Sequence, residues 1–222
     1  MIQARTALVL FSGGQDSSTC IYWAQKEFAA IEAVFFHYGQ RHRVEYDSVK
    51  YVTEKENITL HELHISTFKE IGGTAMIDDI AIKTGKNDLP NTFVPGRNIV
   101  FLTLAASLAY KRGIKDIIIG VNDADYSGYP DCRMDFIASM QDSLAKGLDD
   151  ALQIHAPLQS MSKAEIWALS DRLGVMNEII KHSHTCYIGD HSTLNPWGYG
   201  CGKCPACILR KKGFENFLLL DE

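Results

Sequence analysis

The chain has 222 residues, 46% of them hydrophobic and 22% charged, with a net charge of −5. This describes an ordinary globular protein of one domain plus a small appendage, long enough to need no staple for its main core. The acidic balance argues against a protein that lives on phosphate backbones, which needs a basic face. The stretch after Met1–Arg5 is too short for a signal peptide, and no run approaches the ~18 apolar residues of a membrane helix, so the cytoplasm is the expected location.

In chain order, Arg5–Phe11 is a short apolar run ended by glycines and reads as a strand buried on both faces. Ser17–Ala30 has helical spacing, Ile31–His37 reads as a second strand, Arg43–Asn57 as a helix, and Thr59–Ile65 as a third strand. Ser66–Phe93 has no clean period and is expected to hold short helices and a mobile loop around Thr84–Pro90. Arg97–Arg112 is apolar nearly all round and reads as a buried helix. Asp116–Val121 is a strand, Asn122–Arg133 a polar loop, Met134–Leu152 a helix, and Ile154–Pro157 a short strand. Ser162–Gly174 is a helix with a capping box at Ser162 and Glu165. Strict strand–helix alternation predicts an α/β fold, a parallel sheet with helices on both faces, whose ligands bind beyond the carboxyl ends of the strands. A boundary near Lys181 would separate a nucleotide-binding domain, residues 1–180, from a small C-terminal helical module, residues 181–222.

The first strand runs into Ser12–Ser17, SGGQDS. Gly13 and Gly14 permit torsions that side chains forbid and let an anion approach the backbone. The helix that follows offers free N–H groups and the positive end of its dipole, and the Ser12 and Ser17 hydroxyls add donors, so the loop suits a phosphate. Asp16 is the odd member and reads as a capping group or a magnesium ligand. The plainer alternative is an ordinary glycine turn. No lysine ends the loop, so it is not the Walker type.

Ser12–Ser17 resembles the signature of the N-type ATP pyrophosphatases. With His37–His42 (HYGQRH), Val94–Asn98 (VPGRN), Gly120–Arg133 and a C-terminal cysteine cluster, the chain from about Ala7 to Arg210 closely resembles the QueC family of 7-cyano-7-deazaguanine synthases. The resemblance implies a Rossmann-like nucleotide fold and an ATP-dependent carbon–nitrogen ligase. Its reaction would turn 7-carboxy-7-deazaguanine and ammonia into the nitrile through adenylated intermediates, with Mg2+ as a companion of ATP, and the protein would be a homodimer. It also implies that ATP is held by Leu10, Phe11, Ser12, Gly13, Gly14, Gln15, Asp16, Ser17, Ser18, Thr19 and Cys20, with Tyr38 and Gln40 on the adenosine side.

Arg97, at the start of its helix, is a candidate for stabilising charge on the α-phosphate or the substrate carboxylate, or else a surface ion-pair arginine. Asp131 is a candidate reader of the guanine N–H edge, with Arg133 beside it, and Tyr126 and Tyr129 are candidates to stack on the purine. The plainer reading of that loop is a structured turn in which Asp131 caps the following helix. His42 follows the second strand with Tyr38 and Gln40, on the adenosine side, and would pair with Asp47 or Glu45 if it were only a surface residue. Asp16, Arg97 and Lys163 form the candidate catalytic set, although a lysine in a first helical turn is commonplace.

Cys201, Cys204 and Cys207 form C-x2-C-x2-C, and Cys186 precedes them. Four thiolates suit one structural tetrahedral Zn2+, with an iron–sulfur cluster as the rival. The gap from Cys186, filled by Tyr187–Gly200, is longer than in the family pattern and reads as a loop insertion. His182, His184 and His191 are expected not to be ligands, and Cys20 and Cys132 to be core or loop residues. Arg210, Lys211 and Lys212, with Lys203 nearby, read as a solvated helix face. Two other functions stay open: a tRNA-modifying adenylase or thiolase of the same superfamily, and a non-catalytic zinc module that binds RNA. The acidic charge favours small-molecule substrates over nucleic acid.

Overall fold

The structure is a computed structural model that describes residues 3–83, 89–122 and 129–220. The first strand, β1 (Gln3–Leu10), has two buried faces. Ala7 and Val9 point to one side, Leu8 and Leu10 to the other, all at least nine-tenths buried. Around β1 the strands β2 (Phe28–His37), β3 (Thr59–His64), β4 (Asp116–Ile118) and β5 (Gln153–His155) form one parallel sheet in the order β3-β2-β1-β4-β5. The order reverses direction between β1 and β4, and a crevice opens beyond the carboxyl ends of the strands at such a switch point.

Helices α1 (Gln15–Glu27) and α2 (Val44–Lys55) cover the Ala7–Val9 face together with α6 (Lys163–Arg172) and α7 (Met176–His182). The short α3 (Thr67–Ile71) follows β3. Helices α4 (Arg97–Arg112) and α5 (Met134–Leu148) cover the Leu8–Leu10 face. The expected capping box opens α6: Ser162 Oγ accepts the Glu165 N–H, and Glu165 accepts the Ser162 N–H.

The C-terminal segment holds a two-strand hairpin, β6 (Leu194–Asn195) and β7 (Gly198–Tyr199), and then α8 (Pro205–Leu218), which packs on α6. The hairpin occupies the insertion between Cys186 and Cys201. Cys186, Trp197, Cys204, Cys207 and Phe217 share a core with Val9, Ile21 and Trp167, so packing is continuous across residue 181. No helix among the described residues is long and apolar enough to cross a membrane.

Several elements differ from the sequence reading. The first helix begins at Gln15 and gives way to β2 at Phe28, because Phe28 and Ala33 are buried strand positions. β4 pairs only through Ile118, because the chain must bend at Gly120 to approach the start of α1, where a Cβ would sit 3.0 Å from Ser17 N. α4 is one-sided: Leu102, Ala105, Ala106 and Ala109 are buried, while Ile99 and Tyr110 are exposed. It lies in an outer layer, where only its sheet-facing stripe meets apolar partners. α7 escapes a periodicity reading because it is only 7 residues long. The segment Thr84–Asp88 lies outside the described residues, and with it most of the expected loop.

Candidate active site

The phosphate loop is braced from within. Ser17 Oγ accepts the Ser12 N–H at 3.2 Å, lies 3.0 Å from Ser12 Oγ and donates to Gly14 O. Gly13 has φ +80°, and a Cβ there would lie 2.2 Å from the Glu45 carbonyl oxygen, so only glycine lets α2 close against the loop. Gly14 is the N-cap of α1 and supplies no side-chain cap, and it lines an open space together with Gln15, Asp16 and Ser17.

That space is a cavity of about 250 Å³ between the ends of β1 and β4. Of the residues expected to hold ATP, Leu10, Phe11, Ser12, Gly14, Gln15, Asp16, Ser17, Tyr38 and Gln40 line it. Gly13 stands behind it against α2. Ser18, Thr19 and Cys20 are buried on the α1 face turned to the core, where the Thr19 hydroxyl donates to Gln15 O and meets Ser170 Oγ at 3.0 Å. Gln40 uses its side chain on the backbone, accepting the Tyr38 N–H and donating to Phe36 O.

Asp16 Oδ2 accepts from Lys163 Nζ at 2.6 Å, which joins the loop to the first turn of α6. The other carboxylate oxygen, Oδ1, is buried without a hydrogen-bond partner, as are Gln15 Nε2 and Asn122 Oδ1. Among residues that line the cavity, the unpartnered Gln15 Nε2 is a donor that suits an anion, and the unpartnered Asp16 Oδ1 and Asn122 Oδ1 are acceptors that suit a cation. Lys163 is pinned from behind: a Cβ at Gly213 of α8 would sit 2.5 Å from its Cβ.

Across the cavity, Arg97 starts α4, and Tyr129 lines the same wall with its hydroxyl 2.6 Å from Thr92 Oγ1. Burial works against the Arg97 charge, but Tyr38, Asp131, Tyr129 and Cys132 overcome it and hold the guanidinium above its ordinary pKa. Asp131 does not line the cavity. Its Oδ2 accepts the Asn98 N–H at 3.3 Å and its backbone oxygen accepts from Asn98 Nδ2, so it caps α4 across space, not the helix that follows it. Burial raises the Asp131 carboxyl, while Arg97 and the Asn98 N–H oppose that. Arg133 is exposed and precedes α5, and Tyr126 lies outside the described residues.

Four lining residues were not anticipated. Glu45 lines the cavity from the first turn of α2, and burial pushes its carboxyl up to about 7 while Arg97 pulls the other way. Asn98 follows Arg97 within VPGRN and lines the cavity too. Thr185 and Tyr187, from the segment leading to the cysteine cluster, close its side. His184 N–H donates to Gly13 O at 2.9 Å, and His42 meets the Tyr187 carbonyl at 3.1 Å, not Asp47 or Glu45.

Arg210 corrects the reading of the basic run. It is only 2% exposed. Its guanidinium donates to the carbonyls of Trp197, Ser183 and Ile179 and to Thr185 Oγ1. Burial lowers its pKa to about 10.

Cys186, Cys201, Cys204 and Cys207 bring their sulfurs within 4.8 Å of one another, and Cys201 Sγ stands 3.9 Å from Cys207 Sγ. Tetrahedral ligands at about 2.3 Å from one zinc stand roughly 3.8 Å apart, so the spacing fits a single ion. A four-iron cube would hold its thiolates further apart. Cys201 Sγ accepts the N–H groups of Lys203 and Cys204, which suits a thiolate donor. No histidine joins this group of candidate ligands.

The model of the family described as queuosine biosynthesis protein QueC matches residues 6–218. The chain belongs to the QueC family. A 7-cyano-7-deazaguanine synthase of Nitrobacter hamburgensis is 50% identical over 97% of this chain and 96% of its own. That of Bordetella pertussis is 47% identical over 96% and 93%. Among solved structures, a 4-thiouridine synthetase–RNA complex with bound ATP superposes with TM-score 0.53 at 16% identity, covering 98% of this chain and 52% of that one. The U34-tRNA thiolase NcsA of Methanococcus maripaludis gives TM-score 0.50 at 17%, covering 99% and 66%. These distant likenesses show that the QueC family shares its fold with both proteins. The family's curated members, similar along nearly the whole chain, make this protein an enzyme.

Proposed function

We propose that this enzyme uses ATP to convert 7-carboxy-7-deazaguanine and ammonia into 7-cyano-7-deazaguanine, within queuosine biosynthesis. A carboxylate is a poor electrophile because its leaving group would be hydroxide or oxide. Attack of the carboxylate oxygen on the α-phosphorus releases pyrophosphate and leaves an acyl adenylate, from which AMP departs when ammonia attacks the carbon. The amide oxygen is then activated by the same attack on a second ATP, and loss of AMP with the remaining N–H protons gives the nitrile.

In this reading the α1 N–H groups and the Ser12 and Ser17 hydroxyls hold the β,γ-phosphates. Asp16 Oδ1, the oxygen that Lys163 leaves free, is the place for Mg2+. Arg97 faces charge developing at the α-phosphate or the substrate carboxylate, Tyr38 and Gln40 flank the adenosine side, and Tyr129 stacks on the purine. Asp131, behind Arg97, steadies that cation and the start of α4. Zn2+ in the four-cysteine cluster is structural, because four protein ligands leave no open position. We place the enzyme in the cytoplasm, where thiols stay reduced, and read it as a homodimer acting on small molecules.

The observation that carries this reading is the meeting of the uncapped α1 N-terminus and Arg97 in one cavity at the sheet's switch point. Incubation with ATP, magnesium, ammonium and 7-carboxy-7-deazaguanine, followed by mass spectrometry, should show the nitrile with AMP and pyrophosphate. ATP turnover that depends on tRNA instead would replace this reading with the nucleic-acid one.

A further inference from the structure

We propose that Glu45 is the base of the amidation step: its carboxylate binds ammonium in the cavity and takes a proton from it, freeing the nitrogen lone pair to attack the activated acyl carbon. This inference rests on the reaction proposed above and names a group for it that no part of that reading requires.

The cavity lining contains two carboxylates among the described residues, Asp16 and Glu45, and no imidazole. Asp16 belongs to the phosphate loop itself, with one oxygen bound to Lys163. Glu45 lines the cavity from the first turn of α2, whose backbone abuts Gly13 of the loop, so it stands beside the phosphate site. No hydrogen bond or ion pair among the described residues occupies that carboxylate. The titratable groups that face it are Arg97 from α4 and Tyr38 from the loop after β2, and these two hydrogen-bond each other. Cys132, the lining thiol, is next to Asn98 Nδ2 and Asp131.

The chemistry needs such a group. In neutral water ammonia is almost entirely ammonium, which has no lone pair. A carboxylate attracts that cation, and a base works best when its proton affinity lies near the operating pH. Burial puts Glu45 at about 7. In the step, one N–H bond of ammonium breaks and its proton goes to a Glu45 oxygen. The C–N bond then forms, the bond from carbon to the phosphate oxygen breaks with its electron pair going to AMP, and the second N–H proton, shed from the now cationic nitrogen, leaves with the AMP phosphate. The Glu45 proton returns to solvent before the next ammonium binds.

The test compares the full-length, metal-loaded wild type with Glu45→Gln and Glu45→Asp. Two rates are read: pyrophosphate release with ATP and 7-carboxy-7-deazaguanine in the absence of ammonium, and amide formation as ammonium and pH are varied. Glu45→Gln should lower kcat/KM for ammonium about 10²-fold or more, and at least about tenfold more than it lowers pyrophosphate release. The wild-type fall in kcat/KM on the acid side of about pH 7, beyond the loss of free ammonia itself, should vanish in Glu45→Gln and persist at lower pH in Glu45→Asp. Hydroxylamine, unprotonated at neutral pH, should give hydroxamate with Glu45→Gln at a rate within about fivefold of wild type.

Equal losses in both half-reactions, or no rescue by hydroxylamine, would make Glu45 a positioning residue and overturn the proposal. If Glu45→Gln does not fold, the Glu45→Asp profile alone decides, and a profile identical to wild type overturns it. Failure of the wild type to release pyrophosphate with this carboxylate would overturn the reaction itself, a result distinct from any difference among the variants.

Discussion

A methyl group at Gly13 would stand 2.2 Å from the Glu45 carbonyl oxygen in a backbone at φ +80°. Gly13→Ala must push α2 off the loop or strain the turn, so we expect a loss of about 3 kcal/mol, seen in urea denaturation together with loss of ATP binding. Lys163→Ala leaves the Asp16 carboxylate facing the phosphates without its cation. Both side chains are less than a fifth exposed, so the pair is screened weakly. Stability should fall by about 2 kcal/mol, and pyrophosphate release by about 10²-fold.

Glu45 carries a pH signature. Its pKa is about 7 in the fold and 4.5 ordinarily. Between these values the folded chain keeps a proton that the unfolded chain has released, so stability falls as pH rises through that window and levels off above it. Glu45→Gln removes this slope. Relative to wild type it should gain about 1–2 kcal/mol at pH 8 over its value at pH 4.5, measured by denaturation at both pH values.

At the level of elements, the cavity wall depends on the segment between α7 and the hairpin, and Arg210 organises it. One side chain holds Ile179 and Ser183 at the end of α7, Thr185 on the cavity wall and Trp197 beside the hairpin. Arg210→Ala orphans these buried acceptors and leaves a void. It should cost about 3–5 kcal/mol in thermal or chemical unfolding, whereas Lys211→Ala, on the exposed side of the same helix, should be nearly silent. The sequence contained the clue. Cys207, Arg210, Gly213 and Phe217 are the buried stripe of α8 at helical spacing, so a charge within that stripe was bound to point inward. Reading Arg210, Lys211 and Lys212 as a block hid the period. The contacts of Asp131 and Glu45 were illegible for another reason: their partners, Asn98 and Arg97, are brought to them by the fold rather than by neighbouring sequence.

For the molecule as a whole, the parallel sheet, the phosphate turn and the cysteine set were legible because each is encoded locally. The first needs apolar runs, the second adjacent glycines, the third repeated spacing. What composition could not reveal was that the cysteine segment belongs to the same core as the sheet. With zinc bound there, chelation or Cys204→Ser should lower the midpoint of thermal unfolding by about 10 °C or more. It should also weaken ATP binding, since Thr185 and Tyr187 adjoin Cys186.

The placing of β1 at the middle of the sheet has a consequence for synthesis on the ribosome. One edge of β1 is covered as soon as β2 emerges, but the other waits for β4, and the carbonyl of Gly13 waits for His184. Most of the polypeptide must therefore leave the exit tunnel before the nucleotide cradle can exist, and nascent chains that stop short of the cysteines should show no protection by ATP against protease.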